Sequence, residues 1–155
     1  MISDYLKSNN IKVEFTRDSD VDINLTKRVE NININYFDFD LCISIHCNSF
    51  YNNKLNGIET YYGIKNKELK FKNFLLSFCV QNSVSSKSDY LMDRGINIDH
   101  GMYLINNLRI PSCIMEVGFI TNINDYNVLT SKIKKRKISE LIGEGIIDYL
   151  NKIEK

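Results

Sequence analysis

The sequence predicts an α/β domain: a mostly parallel, twisted sheet with helices on both faces. Three observations predict it. Short apolar runs rich in β-branched residues recur at 40–48, 57–63 and 112–118. Longer stretches with helical periodicity lie between them, the alternation that gives a parallel sheet covered on both sides. The chain has 155 residues, 43% of them hydrophobic, and shows no internal repeat or linker, so residues 1–155 are expected to share one core.

In order, residues 1–7 read as the last turns of a helix ended by Asn9 and Asn10. Residues 11–16 alternate apolar and polar, which predicts a strand. A polar loop follows, and Asn24 is placed to cap a helix reaching Tyr36, with Leu25, Val29 and Ile32 on one face. The strand 40–48 ends in His46, Cys47 and Asn48. An Asn- and aromatic-rich loop leads to the strand 57–63, bracketed by glycines. Residues 67–85 predict a long helix whose apolar face is Leu69, Phe74, Leu75, Phe78 and Cys79. Residues 93–96 and 102–105 predict short extended pieces around a loop holding His100. Pro111 fits the start of the strand carrying Glu116. A short helix begins at Asp125, and a terminal helix runs from 134 to 152 with Ile138, Leu141, Ile142, Ile146 and Leu150 on one side.

Composition narrows the function. Twenty Lys+Arg against 19 Asp+Glu leave a net charge of +1, so nothing electrostatic points to nucleic acid or an anionic membrane. No stretch has the apolar length of a membrane span, and no signal peptide is visible. Cys42, Cys47, Cys79 and Cys113 form no C-x-x-C pair, which argues against a cysteine zinc site. Cys47 has no second histidine at hand to activate it as a nucleophile.

Two residues carry the chemistry. His46 closes a strand, where an α/β sheet presents its reactive groups; such a histidine is either a hydrogen-bonded structural residue or a ligand. Glu116 interrupts an apolar strand, and a carboxylate there is costly unless a cation, a metal or a catalytic task offsets it. The two are expected to be neighbours across one sheet edge. Arg17 and Arg28 are expected to pair with carboxylates such as Asp20, and Asp93 and Arg94 to fix a loop.

Four collinear blocks then resemble one family. Ile43-Ser44-Ile45-His46-Cys47-Asn48 with Asn56-Gly57-Ile58-Glu59-Thr60-Tyr61-Tyr62 resembles the SIHxN…GxExYY signature of zinc-dependent N-acetylmuramoyl-L-alanine amidases of the amidase-3 type. Thr16-Arg17, Asp20, Leu25 and Arg28 resemble its TRxxD…L…R block, and Asp93-Arg94-Gly95-Ile96 its RG segment. Pro111-Ser112 through Glu116-Val117-Gly118-Phe119-Ile120-Thr121-Asn122 resembles its PxxLxExGFxSN block. The resemblance implies a peptidoglycan hydrolase that cleaves the amide between N-acetylmuramic acid and the L-alanine of the stem peptide with zinc-activated water. It implies that His46 is a zinc ligand and Glu116 the catalytic glutamate, with action in the cell wall or outside the cell, or after release by lysis; Asn48 is expected either to orient the loop after His46 or to contact peptidoglycan.

The family's first strand, ending in a DPGHGG-like turn with the first zinc histidine, and its glutamate ligand have no counterpart here. The expectation is therefore an incomplete zinc site, an exposed sheet edge open to self-association, and, as the alternative function, an inactive remnant that at most binds wall fragments. His100, or a cysteine, is a conceivable substitute ligand, with His100 expected near the same edge.

Overall fold

The computed structural model describes residues 1–153. Four strands, β1 (Cys42–Asn48), β2 (Ile58–Gly63), β3 (Asp93–Asp99) and β4 (Ser112–Phe119), form one sheet in the order β1-β4-β2-β3. β1 runs parallel to β4 and β2 parallel to β3, while β2 and β4 are antiparallel. Six helices surround it: α1 (Ile2–Ser8), α2 (Leu25–Ile34), α3 (Lys70–Ser85), α4 (Tyr103–Asn107), α5 (Ile123–Thr130) and α6 (Lys132–Ile153).

Side chains alternate across β4. Cys113, Met115 and Val117 join the main core with α3 and α6, whereas Ile114 points into a second core formed by α2 and α4. Helices thus cover both faces. Tight packing on the first face depends on small residues: a Cβ on Gly143 would lie 2.3 Å from the Tyr5 ring, and one on Gly145 2.7 Å from the Cys79 carbonyl oxygen. Asn24 caps α2 by accepting from Thr26 N.

Three expectations are corrected. Residues 11–16 belong to no strand, because a strand needs a ladder partner. A groove of about 760 Å³ lies between them and β1. Residues 102–105 lie in a helical turn, with Asn106 donating to the carbonyls of Asp99 and Met102. On α3 the predicted face holds only in part: Cys79 is buried and Leu75 packs against the core. Phe74 and Phe78 are exposed, and Asn73, Leu76, Ser77, Val80, Gln81 and Val84 face inward. The polar residues among them have partners in the sheet. Asn73 donates to Gly63 O and accepts from Ser112 N; Gln81 donates to Ile58 O and accepts from Thr60. A helix face that hydrogen-bonds strands looks polar to a periodicity count.

Candidate active site

The site lies where the carboxyl ends of β1 and β4 meet the amino ends of β2 and β3. His46 on β1 pairs with Glu116 on β4, and Glu116 pairs with Glu59 on β2. On β3 the register slips opposite Glu59, and the slip contains Arg94 and Gly95. Gly95 has φ 79°, a conformation that favours glycine, so the bulge is built into the sequence. One row, His46, Glu116, Glu59 and Arg94, therefore crosses all four strands.

His46 is exposed and shares a 2.8 Å hydrogen bond between its Nε2 and Ser44 Oγ, two residues back on the same strand face. Glu116 is half-buried, and its Oε2 is buried without a hydrogen-bond partner. Burial raises the pKa of its carboxyl; His46 draws it back and Glu59 pushes it further up. An orphaned carboxylate oxygen beside an imidazole is suited to accepting and returning a proton.

Glu59 is buried and fully committed. Its Oε2 accepts from Arg94 Nε at 3.0 Å and its Oε1 from Asn48 Nδ2 at 3.1 Å. Burial and this carboxylate together hold the Tyr61 phenol up at about 12. Asn48 also accepts from Ser49 N, and its backbone carbonyl accepts from Ile120 N. Its amide is thus tied within the protein and steadies the loop after β1. Behind the row, Asp125 Oδ2 accepts from Gly57 N and Phe119 N, joining the starts of β2 and the end of β4.

Other expected residues fall elsewhere. Arg17 donates to Val21 O and Arg28 to Ile23 O, so they hold backbone carbonyls and not the expected carboxylates. Asp93 accepts from Gln81 and Gly95 N, fixing the bulge. His100 follows the carboxyl end of β3. Because β2 and β3 run opposite to β1 and β4, that end lies at the far edge of the sheet, away from His46. Cys47 is exposed, but burial of its sulfur and the Glu116 charge raise its thiol pKa, the opposite of an activated nucleophile.

Glu59 and Arg94 are the residues of this row that the sequence alone did not mark as a site. A charged residue in an apolar strand is the signal that singled out Glu116, and Glu59 carries it too. Its place between Ile58 and Thr60 in a half-polar strand hid it.

A catalytic zinc takes three protein ligands. His46 and Glu116 offer one imidazole and one carboxylate, and among the described residues no three His, Cys, Asp or Glu side chains stand close enough to hold a metal. These residues alone do not complete a zinc site.

Comparison with known proteins fits the geometry. The chain is 28% identical over 162 residues to the germination-specific N-acetylmuramoyl-L-alanine amidase of Bacillus subtilis, covering 96% of this chain and 65% of that one. Its fold matches AmiC2 of Nostoc punctiforme, an N-acetylmuramoyl-L-alanine amidase, with TM-score 0.85 and 27% identity over 97% of this chain and 78% of that one. It also matches the CwlD amidase of Clostridioides difficile, solved in complex with the GerS lipoprotein, with TM-score 0.83 and 26% identity, covering 97% of this chain and 81% of that one. The chain thus spans about two thirds of the Bacillus relative. The model of the family Amidase_3, N-acetylmuramoyl-L-alanine amidase, matches residues 1–148, and the chain belongs to that family.

Proposed function

We propose that this domain acts on peptidoglycan, cleaving the amide between N-acetylmuramic acid and the L-alanine of the stem peptide. The observation that supports the reading is Glu116: a half-buried carboxylate with one unpartnered oxygen, paired with His46 at the open edge of the sheet. In this reading Glu116 takes a proton from the attacking water and returns it to the leaving amine of L-alanine. Its raised pKa favours holding that proton between the two steps. His46, oriented by Ser44, is the imidazole expected to contact zinc. Action in the cell wall or outside the cell follows from the same reading. No helix of the described residues is long and apolar enough to cross a membrane.

The groove beside β1 belongs to the same proposal. Among the described residues, β1 has β4 on one side and no strand on the other. The groove is lined by Leu6, Ile11, Val13, Ile43, Ile45 and Leu150, so apolar residues cover both its walls. One further extended segment seated there would pair with β1 and complete the domain.

A second reading, binding of wall fragments without hydrolysis, is favoured by the incomplete metal donor set among the described residues. Incubation with purified peptidoglycan, followed by mass spectrometry of the soluble products, separates them. Hydrolysis releases stem peptides with a free L-alanine amine, and simple binding releases none.

A further inference from the structure

Arg94 is held more firmly than a charge partner for Glu59 requires. Its Nε donates to Glu59 at 3.0 Å. Its guanidinium carbon lies 5.2 Å from the centre of the Phe119 ring. Its stem lies against Gly57, where a Cβ would sit 3.0 Å from Arg94 Cγ and 3.1 Å from Cδ. Three contacts therefore fix the side chain, and the bulge at Gly95 sets its starting point. Yet its two Nη nitrogens donate to no side chain or carbonyl among the described residues, and the side chain is 26% exposed. A guanidinium needed only to neutralise Glu59 would meet it with its two-pronged end. Here the neutralising bond uses the side of the fork, and the prongs remain available.

We propose that Arg94 receives a free carboxylate of the stem peptide, about two residues beyond the scissile amide. This rests on the peptidoglycan reading of the site and names what that site recognises. Two peptide residues span roughly 7 Å. Arg94 stands two strands from Glu116, roughly 10 Å from backbone to backbone, and its long side chain bridges the difference. In peptidoglycan the residue in that position is D-glutamate, whose α-carboxyl is either free or amidated. A free carboxylate would take two charge-assisted hydrogen bonds from the fork, whereas an amide presents one oxygen without charge. Arg94 thus makes the site read the amidation state of the second stem residue.

The test is calorimetric binding of two synthetic probes whose γ-carboxyl is blocked as a methylamide, so that they differ only in a free or an amidated α-carboxyl on the D-glutamate of N-acetylmuramoyl-L-alanyl-D-glutamate, in metal-free buffer. The expected result is about tenfold or greater preference for the free acid. Arg94→Lys keeps a positive charge beside Glu59 but removes the fork, and it is expected to keep the fold and lose the preference. Equal affinity of the wild type for both probes overturns the assignment while leaving the peptidoglycan reading intact, as does a preference that survives in Arg94→Lys. Absence of binding by either probe overturns both readings together. The comparison of the two probes on the wild type decides by itself should Arg94→Lys not fold.

Discussion

Glu59 stands directly across the β2–β4 ladder from Glu116, so two carboxylates occupy one rung of the sheet. Like charges in that position repel, and the arrangement persists because their roles differ. Glu59 is neutralised by Arg94 and hydrogen-bonded by Asn48, while one oxygen of Glu116 is left unpartnered. One carboxylate builds the site and the other is left available.

Glu59→Ala is accordingly expected to be among the most damaging single changes. It leaves Arg94 without its ion-pair partner and frees Asn48, and removing one member of a buried pair costs about 3 kcal/mol. Glu59→Gln keeps an acceptor for both donors and should cost distinctly less. Urea unfolding of the two variants measures the difference, and equal losses would show that the pair adds nothing beyond its shape.

Glu116 makes stability depend on pH. Its carboxyl pKa is raised in the folded protein, so the folded state holds its proton more tightly than the unfolded chain does. That contribution is fully present below the ordinary carboxylate value of 4.5 and is lost as pH rises through the folded value. In metal-free protein, Glu116→Gln removes the dependence. The variant is expected to melt higher than the wild type at pH 7, and the gain should shrink toward pH 4. A gain that grows on acidification would reverse the sign of the shift.

The unpaired edge of β1 predicts self-association. Ile45 is 40% exposed on that edge and Phe15 59% exposed across the groove, and an open apolar edge invites strand pairing between copies. Sedimentation velocity is expected to show association that rises with concentration. Ile45→Lys should shift the population toward monomer with little change in melting temperature.

Zinc should be held weakly. With His46 as the one residue assigned to the metal, protein loaded with zinc and dialysed is expected to retain well under one equivalent by elemental analysis. His46→Ala should lower even that. Full retention by the wild type would mean that further donors join His46 at the metal.

Much of this was legible in the sequence. The strands ending at His46 and carrying Glu116 stood out because their apolar runs are dense, and their adjacency followed from the α/β pattern. Asn24 announced its cap directly. Residues 11–16 have the alternation of a strand, but alternation reports sidedness and not the presence of a partner. Phe74 and Phe78 drew the apolar face of α3 partly to the wrong side because Asn73 and Gln81 are buried by bonds to strands 10 and 23 residues away. His100 was expected beside His46 because the antiparallel step between β4 and β2, which sends it to the far edge, has no local signature.

The account turns on Glu116 as the proton carrier. The direct measurement is the release of N-terminal L-alanine amines from purified peptidoglycan by wild-type protein and by Glu116→Gln, with zinc supplied and the groove beside β1 filled by a strand peptide. The account predicts release by the wild type and a loss of about 10²–10⁴ in rate for Glu116→Gln, with peptidoglycan binding retained. Wild-type turnover by Glu116→Gln would contradict it.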